Sequence, residues 1–289
     1  MIRKIIKRIL PKKILKTIEN IRLLNQLKKT KKIKEYVKRY LPQEEGIQET
    51  KQFIPYQKLP IWQLWLQGED NAPNIVKNCL KSVKYYNPDR EVVLLTEENI
   101  SDYISLPPFI VEKYKKGIIS NTHYSDIVRV FLLSKYGGTW IDATILFTGD
   151  IPKKILESDF FCFSSTEDSL YYDYHLISSW FIHSQPEHVF MKIMQETLFL
   201  YWERENELLD YFLLHILFKN MIDENKFMKS QWDSLYHLSN IEPHLLSKLL
   251  NEIYSDIKFD KIKHITSVHK LTYKQNRIIA GSFFDKLSK

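Results

Sequence analysis

Apolar and polar positions alternate along the chain in runs that predict strands and helices in turn. Residues 61–66 and 91–95 are short, almost continuously apolar runs, the pattern of strands buried on both faces. Between them, apolar residues recur at helical spacing over residues 72–86, and Pro73 suits the first turn of a helix. A strand, a helix and a second strand in this order predict a parallel unit whose helix covers the sheet.

The rest of the chain continues the alternation of helices and strands. Apolar residues at helical spacing predict a helix over residues 122–136, which Gly137 and Gly138 end. An apolar strand is predicted to follow at residues 139–147. Further strands are predicted at 160–163 and 176–181, and further helices at 96–101, 187–202, 207–218 and 242–253. The pattern predicts an α/β fold in which helices flank a mixed, mainly parallel sheet.

The first fifty residues have a different pattern, that of a basic amphipathic helix. Apolar residues follow helical spacing over residues 2–10, with Lys and Arg between them, and Pro11 breaks or kinks this helix. An apolar face resumes at Ile14, and residues 42–46 are typical of a linker. We therefore predict a basic helical segment at 1–50 and a main domain at 51–289.

The positive charge of the chain is concentrated in this first segment. Residues 1–50 hold 15 Lys and Arg against 5 Asp and Glu, whereas the remainder holds 27 against 30. Such a helix can lie on an anionic membrane, pack on the domain as an ordinary helix, or bind nucleic acid. We favour the membrane, because the remainder is acidic and has no nucleic-acid-binding motif.

Cysteine usage and hydropathy indicate the cellular compartment in which we expect the protein. Cys79 and Cys162 lack the spacing of a metal site or a disulfide framework, which fits a reducing compartment. No stretch has the ~20 apolar residues that span a bilayer, and the N-terminus lacks the pattern of a secretory signal. We therefore expect a cytoplasmic protein that is peripheral at the inner face of the cell membrane.

The candidate chemistry lies within residues 125–142. Asp126 and Arg129 are three apart, so they share one face of the predicted helix. After the glycine pair, Asp142 follows from a mostly buried strand. An ionised carboxylate in such a place needs a cation or hydrogen bonds to compensate it. A divalent metal bound to a diphosphate would supply that compensation.

This block, with Ser-Asp-x-x-Arg, a helix, Gly-Gly and an aspartate strand, resembles the glycosyltransferases of capsular polysaccharide synthesis. These are related to yeast-type alpha-mannosyltransferases and to the glucosyltransferase domains of large clostridial toxins. The similarity extends from about residue 58 to about residue 275. It implies a GT-A-like, Rossmann-type fold with the nucleotide at the carboxyl ends of the strands. It also implies retaining transfer of a hexose from a nucleotide-sugar donor, with UDP expected, to a capsular or other surface polysaccharide.

The resemblance implies roles for several residues on the donor side. Trp65 matches a position whose aromatic ring stacks on the nucleotide base, and Gln67 is counted with it as donor-binding. Asp126 and Arg129 match residues that hold the donor sugar and the ribose, and they are expected catalytic residues. Lys270 is expected to pair with a phosphate oxygen.

The resemblance also implies a Mn²⁺ or Mg²⁺ site. Asp142 matches the first acid of the Asp-x-Asp metal motif, whereas the second acid is replaced by Thr144. Thr144 is expected to contact the metal through its hydroxyl or a water, and one charge fewer should weaken the affinity. His269 is expected to complete the metal shell, with His264 as the competing candidate.

The acceptor side is expected around Asp210, in the predicted helix 207–218. The resemblance makes Asp210 a candidate for binding the acceptor or for steadying positive charge at the anomeric carbon. The alternatives are a helix N-cap or a solvated helix acid, and His215 is more often a core or surface histidine than a ligand. The expected acceptor is a saccharide or a lipid-linked saccharide.

Two other functional classes compete with the transferase. A nucleotide-binding hydrolase or kinase lacks support, because the sequence has no Gly-rich phosphate loop. A catalytically weak or inactive nucleotide-sugar-binding protein of the same fold stays open, because Thr144 replaces the second acid.

Overall fold

The protein is a mixed α/β structure built around one five-stranded sheet. The computed structural model describes residues 12–42, 53–166, 169, 176–275 and 277–289. The seven strands are β1 (Ile61–Leu64), β2 (Val92–Leu95), β3 (Gly138–Ile141), β4 (Ile145–Phe147), β5 (Phe160–Ser164), β6 (Ile177–Ser184) and β7 (Val268–Lys270). The main sheet has the order β2-β1-β3-β6-β5, and β4 and β7 form a separate antiparallel pair.

The direction of the strands agrees with the predicted parallel unit at the start of the domain. β1 is parallel to both β2 and β3, whereas β6 is antiparallel to β3 and β5. The central strands are almost completely buried, as their continuous apolar runs predict. The predicted fold class, a mixed sheet flanked by helices, is confirmed.

Helices alternate with the strands along the described chain. They are α1 (Lys12–Val37), α2 (Asn74–Tyr85), α3 (Ile100–Tyr103), α4 (Pro108–Lys115), α5 (Asn121–Tyr136), α6 (Lys153–Leu156), α7 (Val189–Arg204), α8 (Leu213–Glu224), α9 (Lys226–Asp233), α10 (Leu245–Leu249), α11 (Asp256–Ile265) and α12 (Phe283–Leu287). The most buried of the long helices is α5, which packs against α7 and the main sheet. It carries two of the candidate site residues.

The strand predicted at 139–147 is wrong as one element. β3 ends at Ile141, the chain turns through residues 142–144, and β4 begins at Ile145 in the second sheet. The Ile145 amide donates to the Asp142 carbonyl at 2.9 Å and closes this turn. Hydropathy hides the turn because Ala143 within it is also buried. Asp142 therefore lies at the junction between the two sheets.

The glycine pair fixes where β3 begins. Gly137 and Gly138 have φ angles of 64° and 104°, which L side chains rarely adopt. A Cβ on Gly138 would lie 2.3 Å from the Pro60 carbonyl oxygen, and one on Gly137 would lie 2.5 Å from the Pro186 nitrogen. Only glycine permits this close approach of the backbone, which positions Asp142 four residues later.

Two predicted helices are wrong in their bounds because tertiary hydrogen bonds replace helical ones. The helix predicted at 207–218 begins only at Leu213, since the Tyr201 hydroxyl bonds the Glu207 carbonyl and the Leu209 amide. The helix predicted at 242–253 is a 3₁₀ turn, Glu242–His244, followed by α10. Beyond α10, the Leu250 and Glu252 carbonyls bond the amides of residues 284 and 283.

The basic segment is partly built into the core. Thr30, Ile33 and Val37 on one face of α1 are buried, and this end of the helix packs against α8. The Lys34 ammonium also pairs with Asp223 at 2.9 Å. The predicted helix at 2–10, Pro11 and most of the predicted linker lie outside the described residues. Across the part of the chain that the structure describes, no helix combines the length and apolar content needed to cross a bilayer.

Candidate functional site

One end of the site is a buried charge group on α5. The Arg129 guanidinium donates to the Asp126 carboxylate, and both side chains are less than 9% exposed. His123, one turn earlier, places Nδ1 3.6 Å from the Asp126 Oδ2 atom. Burial raises the pKa of Asp126, but the charges of Arg129 and His123 outweigh it and lower the pKa below its usual value. Asp126 is therefore ionised.

The carboxylate of Asp142 extends this group from the carboxyl end of β3. Its Oδ1 atom accepts from Trp140 Nε1 at 2.9 Å and from the second terminal nitrogen of Arg129 at 3.2 Å. The Arg129 guanidinium lies 4.8 Å from the centre of the Trp140 ring. Arg129 therefore bridges two carboxylates, one from a helix and one from a strand, while its charge rests on an aromatic face.

Lys270 completes the group from the second sheet. Its ammonium donates to Asp142 Oδ2 at 2.7 Å and to the Thr144 hydroxyl at 2.7 Å. The pairing of β7 with β4, which aligns Lys270 with Ile145, brings the lysine to this position. Burial raises the pKa of Asp142, but Lys270 and Arg129 outweigh it and hold the pKa at about 2. Asp142 and Lys270 are 25% and 20% exposed, so this end of the group reaches solvent.

The donors of this group do not fit the Mn²⁺ or Mg²⁺ that the resemblance implies. Both oxygens of Asp142 already accept from nitrogen donors, and the Thr144 hydroxyl is bonded to Lys270. Within the described residues, no group of three or more His, Cys, Asp or Glu side chains is placed to hold a metal. Hard divalent cations prefer several free oxygen ligands, which this arrangement does not offer. The dependence on Mn²⁺ or Mg²⁺ stays a prediction.

His269, the predicted third metal ligand, is not brought to Asp142. Neighbouring residues of a strand face opposite sides, so His269 points away from the side that Lys270 faces. Its Nε2 atom lies 2.8 Å from the Thr148 hydroxyl, and its side chain is fully buried. Burial lowers the pKa of His269 to about 4, so the ring is neutral near pH 7. His264, the competing candidate, is exposed on α11.

The predicted base-binding residues lie where β1 ends. The Trp65 amide donates to the Leu95 carbonyl at 3.0 Å, and its ring meets the Tyr273 ring edge to face at a centroid distance of 5.3 Å. The indole nitrogen of Trp65 is buried and has no hydrogen-bond partner among the described residues. Gln67 is exposed, and its carbonyl accepts from Asn71. Because Tyr273 is three residues beyond Lys270, one C-terminal segment reaches both parts of the candidate site.

Asp210 lies in the loop before α8, not in a helix as predicted. Its side chain is buried, and its oxygens accept from the Phe212 amide at 3.0 Å and from Lys29 of α1 at 2.8 Å. His215, on the first turns of α8, is close enough to lower the pKa of Asp126. The start of α8 therefore borders the buried charge group, although no direct contact joins Asp210 to Asp142.

Three residues of this region were missed at the level of sequence: His123, Trp140 and Tyr273. Two of them carried a readable signal. His123 is three residues before Asp126 on a helix, and Trp140 is two residues before Asp142 on a strand, so each pair shares a face. Tyr273 carried no such signal, because its contact with Trp65 joins segments far apart in the chain.

Comparisons with known proteins identify the family of the chain. The O-glycosyltransferase braB from Annulohypoxylon truncatum is 34% identical over 92 residues, which cover 29% of this chain and 22% of that protein. The chain therefore matches about a fifth of the length of this curated relative. The solved structure of PaToxG Glycosyltransferase aligns over 74% of this chain and 83% of that one, with a TM-score of 0.41 and 13% identity. The family described as capsular polysaccharide synthesis protein matches residues 7–287, and the chain belongs to that family.

Proposed function

We propose that the protein is a glycosyltransferase that moves a hexose from a nucleoside-diphosphate sugar to a growing capsular or other surface polysaccharide. The observation that carries the proposal is the meeting of Arg129, Asp142 and Lys270 at the carboxyl end of the central strand β3. Sheets of this kind bind ligands outside the carboxyl ends of their strands. Membership of the capsular polysaccharide synthesis family and the 92 residues similar to an O-glycosyltransferase support the same class of reaction.

The charge of the group suits the leaving of a diphosphate. Transfer breaks the bond between the anomeric carbon and a phosphate oxygen, and the bonding electrons leave with the nucleoside diphosphate. The acceptor hydroxyl oxygen bonds to the anomeric carbon, and its proton is released to solvent water. Negative charge therefore grows on the diphosphate, where cationic donors stabilise the transition state more than the ground state. Lys270 is the donor of the group that reaches solvent.

The other residues divide between the donor and the acceptor. Trp65 and Tyr273 offer an aromatic platform for the base, and Gln67 follows beside it. Asp126 and Arg129 hold the donor sugar and ribose, as the resemblance implies. Asp210, in the loop that precedes α8, is the proposed acceptor-side acid. Retention of configuration and a UDP donor belong to the proposal on the same resemblance.

A panel of nucleotide sugars tests this function. UDP-, GDP-, CDP- and dTDP-sugars are added to the protein with Mn²⁺, with Mg²⁺ and with chelator, and the melting temperature is recorded. The correct donor should raise the melting temperature by mass action and should slowly release free nucleoside diphosphate. The matching nucleoside monophosphate, which lacks the second phosphate, serves as the control. If no sugar nucleotide shifts the melting temperature under any condition, the proposal fails.

The same panel separates the enzyme from an inactive binding protein of this fold. A donor that raises the melting temperature without any release of nucleoside diphosphate, even when acceptor extracts are supplied, would favour the binding protein. The hydrogen bonds from Lys270 to Asp142 and Thr144 do not distinguish the enzyme from the binding protein, because either protein would need them to hold a diphosphate. Product release is therefore the deciding measurement.

We also propose that α1 holds the enzyme at an anionic membrane, where a lipid-linked acceptor would be presented. Ile14, Ile21 and Leu24 are 45%, 52% and 56% exposed, and their spacing of seven and three places them on one outward face. Lys28 and Lys32 are exposed along the same side of the helix. An apolar stripe flanked by lysines fits the surface of an anionic bilayer.

Vesicle binding tests the membrane role. Deletion of residues 1–42 is a poor test, because it would also remove the buried side chains of Val37 and Tyr40. In the full chain, the double substitution Ile21→Ser and Leu24→Ser should weaken binding to phosphatidylglycerol vesicles at least about tenfold. The matched control changes Ile253 and Ile257 to Ser. These two residues lie outside α1 and are 65% and 70% exposed. Equal effects of the two double variants would contradict the proposal.

A further inference from the structure

The feature that carries a further inference is the pairing of charges around Asp142. Two carboxylates, Asp126 and Asp142, meet two cations, Arg129 and Lys270, so the group has no surplus negative charge. A site for a divalent cation normally collects more carboxylate charge than the protein itself neutralises. Here the protein has already supplied the opposite charge.

The place of the second acid is also occupied by a cation. Thr144 stands two residues after Asp142, and its hydroxyl accepts from the same ammonium that pairs with Asp142. Lys270 therefore lies between the two side chains that would face a metal. An ammonium in that position offers a diphosphate the positive charge that a metal would otherwise provide.

The geometry lets Lys270 take an anion without breaking its own contacts. The ammonium has three N–H donors, of which two are used by Asp142 and Thr144, and the side chain is 20% exposed. Arg129 is only 5% exposed, and it shares its charge between Asp126 and Asp142. Arg129 thereby relieves Lys270 of part of the charge of Asp142, in addition to the donor-side role that the resemblance implies for it.

We propose that Lys270, positioned by Asp142 and supported by Arg129, replaces the divalent cation, so that the enzyme binds its donor diphosphate and expels it without a metal. The inference rests on the proposed function. When the bond to the anomeric carbon breaks, its electron pair and the new charge stay on the phosphate oxygen that faces Lys270. The lysine keeps its proton and strengthens its hydrogen bond, so no further reactant is needed.

Binding of UDP and of inorganic pyrophosphate by the full chain tests this inference with a readout besides activity. Titration calorimetry is run in EDTA and, separately, with Mn²⁺. The wild-type affinity for UDP should differ by less than about threefold between the two conditions. Lys270→Met, which removes the charge but keeps most of the length, should weaken binding in EDTA at least about tenfold, and Lys270→Arg should restore most of it. Lys263→Ala removes a lysine paired with Asp260 on α11, and it should have no effect.

Asp142→Asn sharpens the test, because a metal ligand and a positioning acid give opposite results. As a metal ligand, Asp142 is needed for binding, so the variant would lose UDP in Mn²⁺. As a positioning acid, its neutral variant leaves Lys270 less compensated, and pyrophosphate should bind in EDTA at least as tightly as in wild type. The affinity of the variant for pyrophosphate should also fall more steeply as the salt concentration rises, because more uncompensated positive charge faces the anion.

The outcomes separate this inference from the proposed function. Wild-type binding that requires Mn²⁺ and is lost in EDTA overturns metal-free binding but leaves the transferase intact. Binding by Lys270→Met that equals wild type overturns the role of the lysine. If neither pyrophosphate nor UDP, GDP, CDP or dTDP binds under any condition, the inference and the proposed function fall together. Thermal denaturation of each variant checks that it is folded.

Discussion

Two helices of the protein use positive charge in opposite ways. Helix α1 carries lysines that lie exposed beside exposed apolar residues, so its charge faces solvent over a long stripe. Helix α5 carries Arg129, which is buried and bonded to two carboxylates. The arrangement on α1 suits an extended anionic surface, because its exposed lysines are mobile and their charges are screened by salt. The second suits a compact anion at one fixed position.

The comparison shows that burial, more than the number of charges, decides what a cation can do. A buried cation is strongly coupled to its partners, so it positions other groups with little freedom. An exposed cation contributes little to stability but stays available to a partner of variable shape. Four measurements can break or sharpen this contrast, and they follow in order of the expected effect.

The largest effect is expected from removing the buried cation. Arg129→Leu leaves Asp126 and Asp142 without their shared partner in a poorly solvated place. The free energy of unfolding should fall by about 3–5 kcal/mol, measured by urea denaturation. Arg22→Leu, on the exposed surface of α1, should change it by less than about 0.5 kcal/mol. Similar losses in the two variants would remove the contrast.

A smaller effect is expected from removing only the charge of the strand acid. Asp142→Asn should reduce sugar transfer at least about a hundredfold, because an amide no longer holds the charges of Lys270 and Arg129 in place. The melting temperature at neutral pH should fall by only a few degrees, since the side chain is partly exposed and keeps its size. Normal turnover by this variant in chelator would remove Asp142 from the reaction, whether as a metal ligand or as a positioning acid.

The pH dependence of stability reports the same carboxylate. The pKa of Asp142 is about 2 in the folded chain, below its ordinary value of 3.8. The stabilisation is therefore fully present above about pH 4 and is lost as the pH falls through 2, with a size of about 2 kcal/mol. Urea denaturation of wild type and Asp142→Asn at several pH values measures it. A difference between the two that stays constant from pH 5 to pH 2 would contradict the assigned pKa.

The smallest effect is expected where the two kinds of region meet. Lys29 of α1 is 54% exposed but pairs with the buried Asp210. Lys29→Ala should cost about 0.5–1 kcal/mol of unfolding free energy, because the Phe212 amide still bonds the acid. Lys38→Ala, whose partners Glu35 and Glu224 are exposed, is the matched control and should cost less. A loss above about 3 kcal/mol in Lys29→Ala would show that this pair behaves as a buried one.

Much of the fold and the local part of the site could be predicted from the sequence. The strands β1 and β2 and the helix α5 lie where apolar periodicity predicts them. Asp126 and Arg129 meet because three residues span about one helical turn, and the glycine pair leads directly to Asp142. These relations depend on near neighbours in the chain, which spacing can reveal.

The rest could not be predicted because it depends on pairing between distant segments. Which of His269 and Lys270 faces Asp142 is set by the register of β7 on β4, and a shift of one residue would exchange them. The turn after Asp142 was hidden because Ala143 is as buried as a strand residue. The loop before α8 is not helical, although its apolar spacing predicts a helix, because Tyr201 bonds its backbone.

The bond between Lys270 and Asp142 joins residues 128 positions apart. During synthesis, Asp142 is made 128 residues before Lys270. Its carboxylate therefore stays solvated until the intervening chain has been made. Closing so long a loop costs conformational entropy, and contacts between distant residues form slowly. We therefore expect this group to be among the last parts of the molecule to form during folding. An incompletely folded chain would therefore contain a nearly finished central sheet and still lack the charge group that we propose binds a diphosphate.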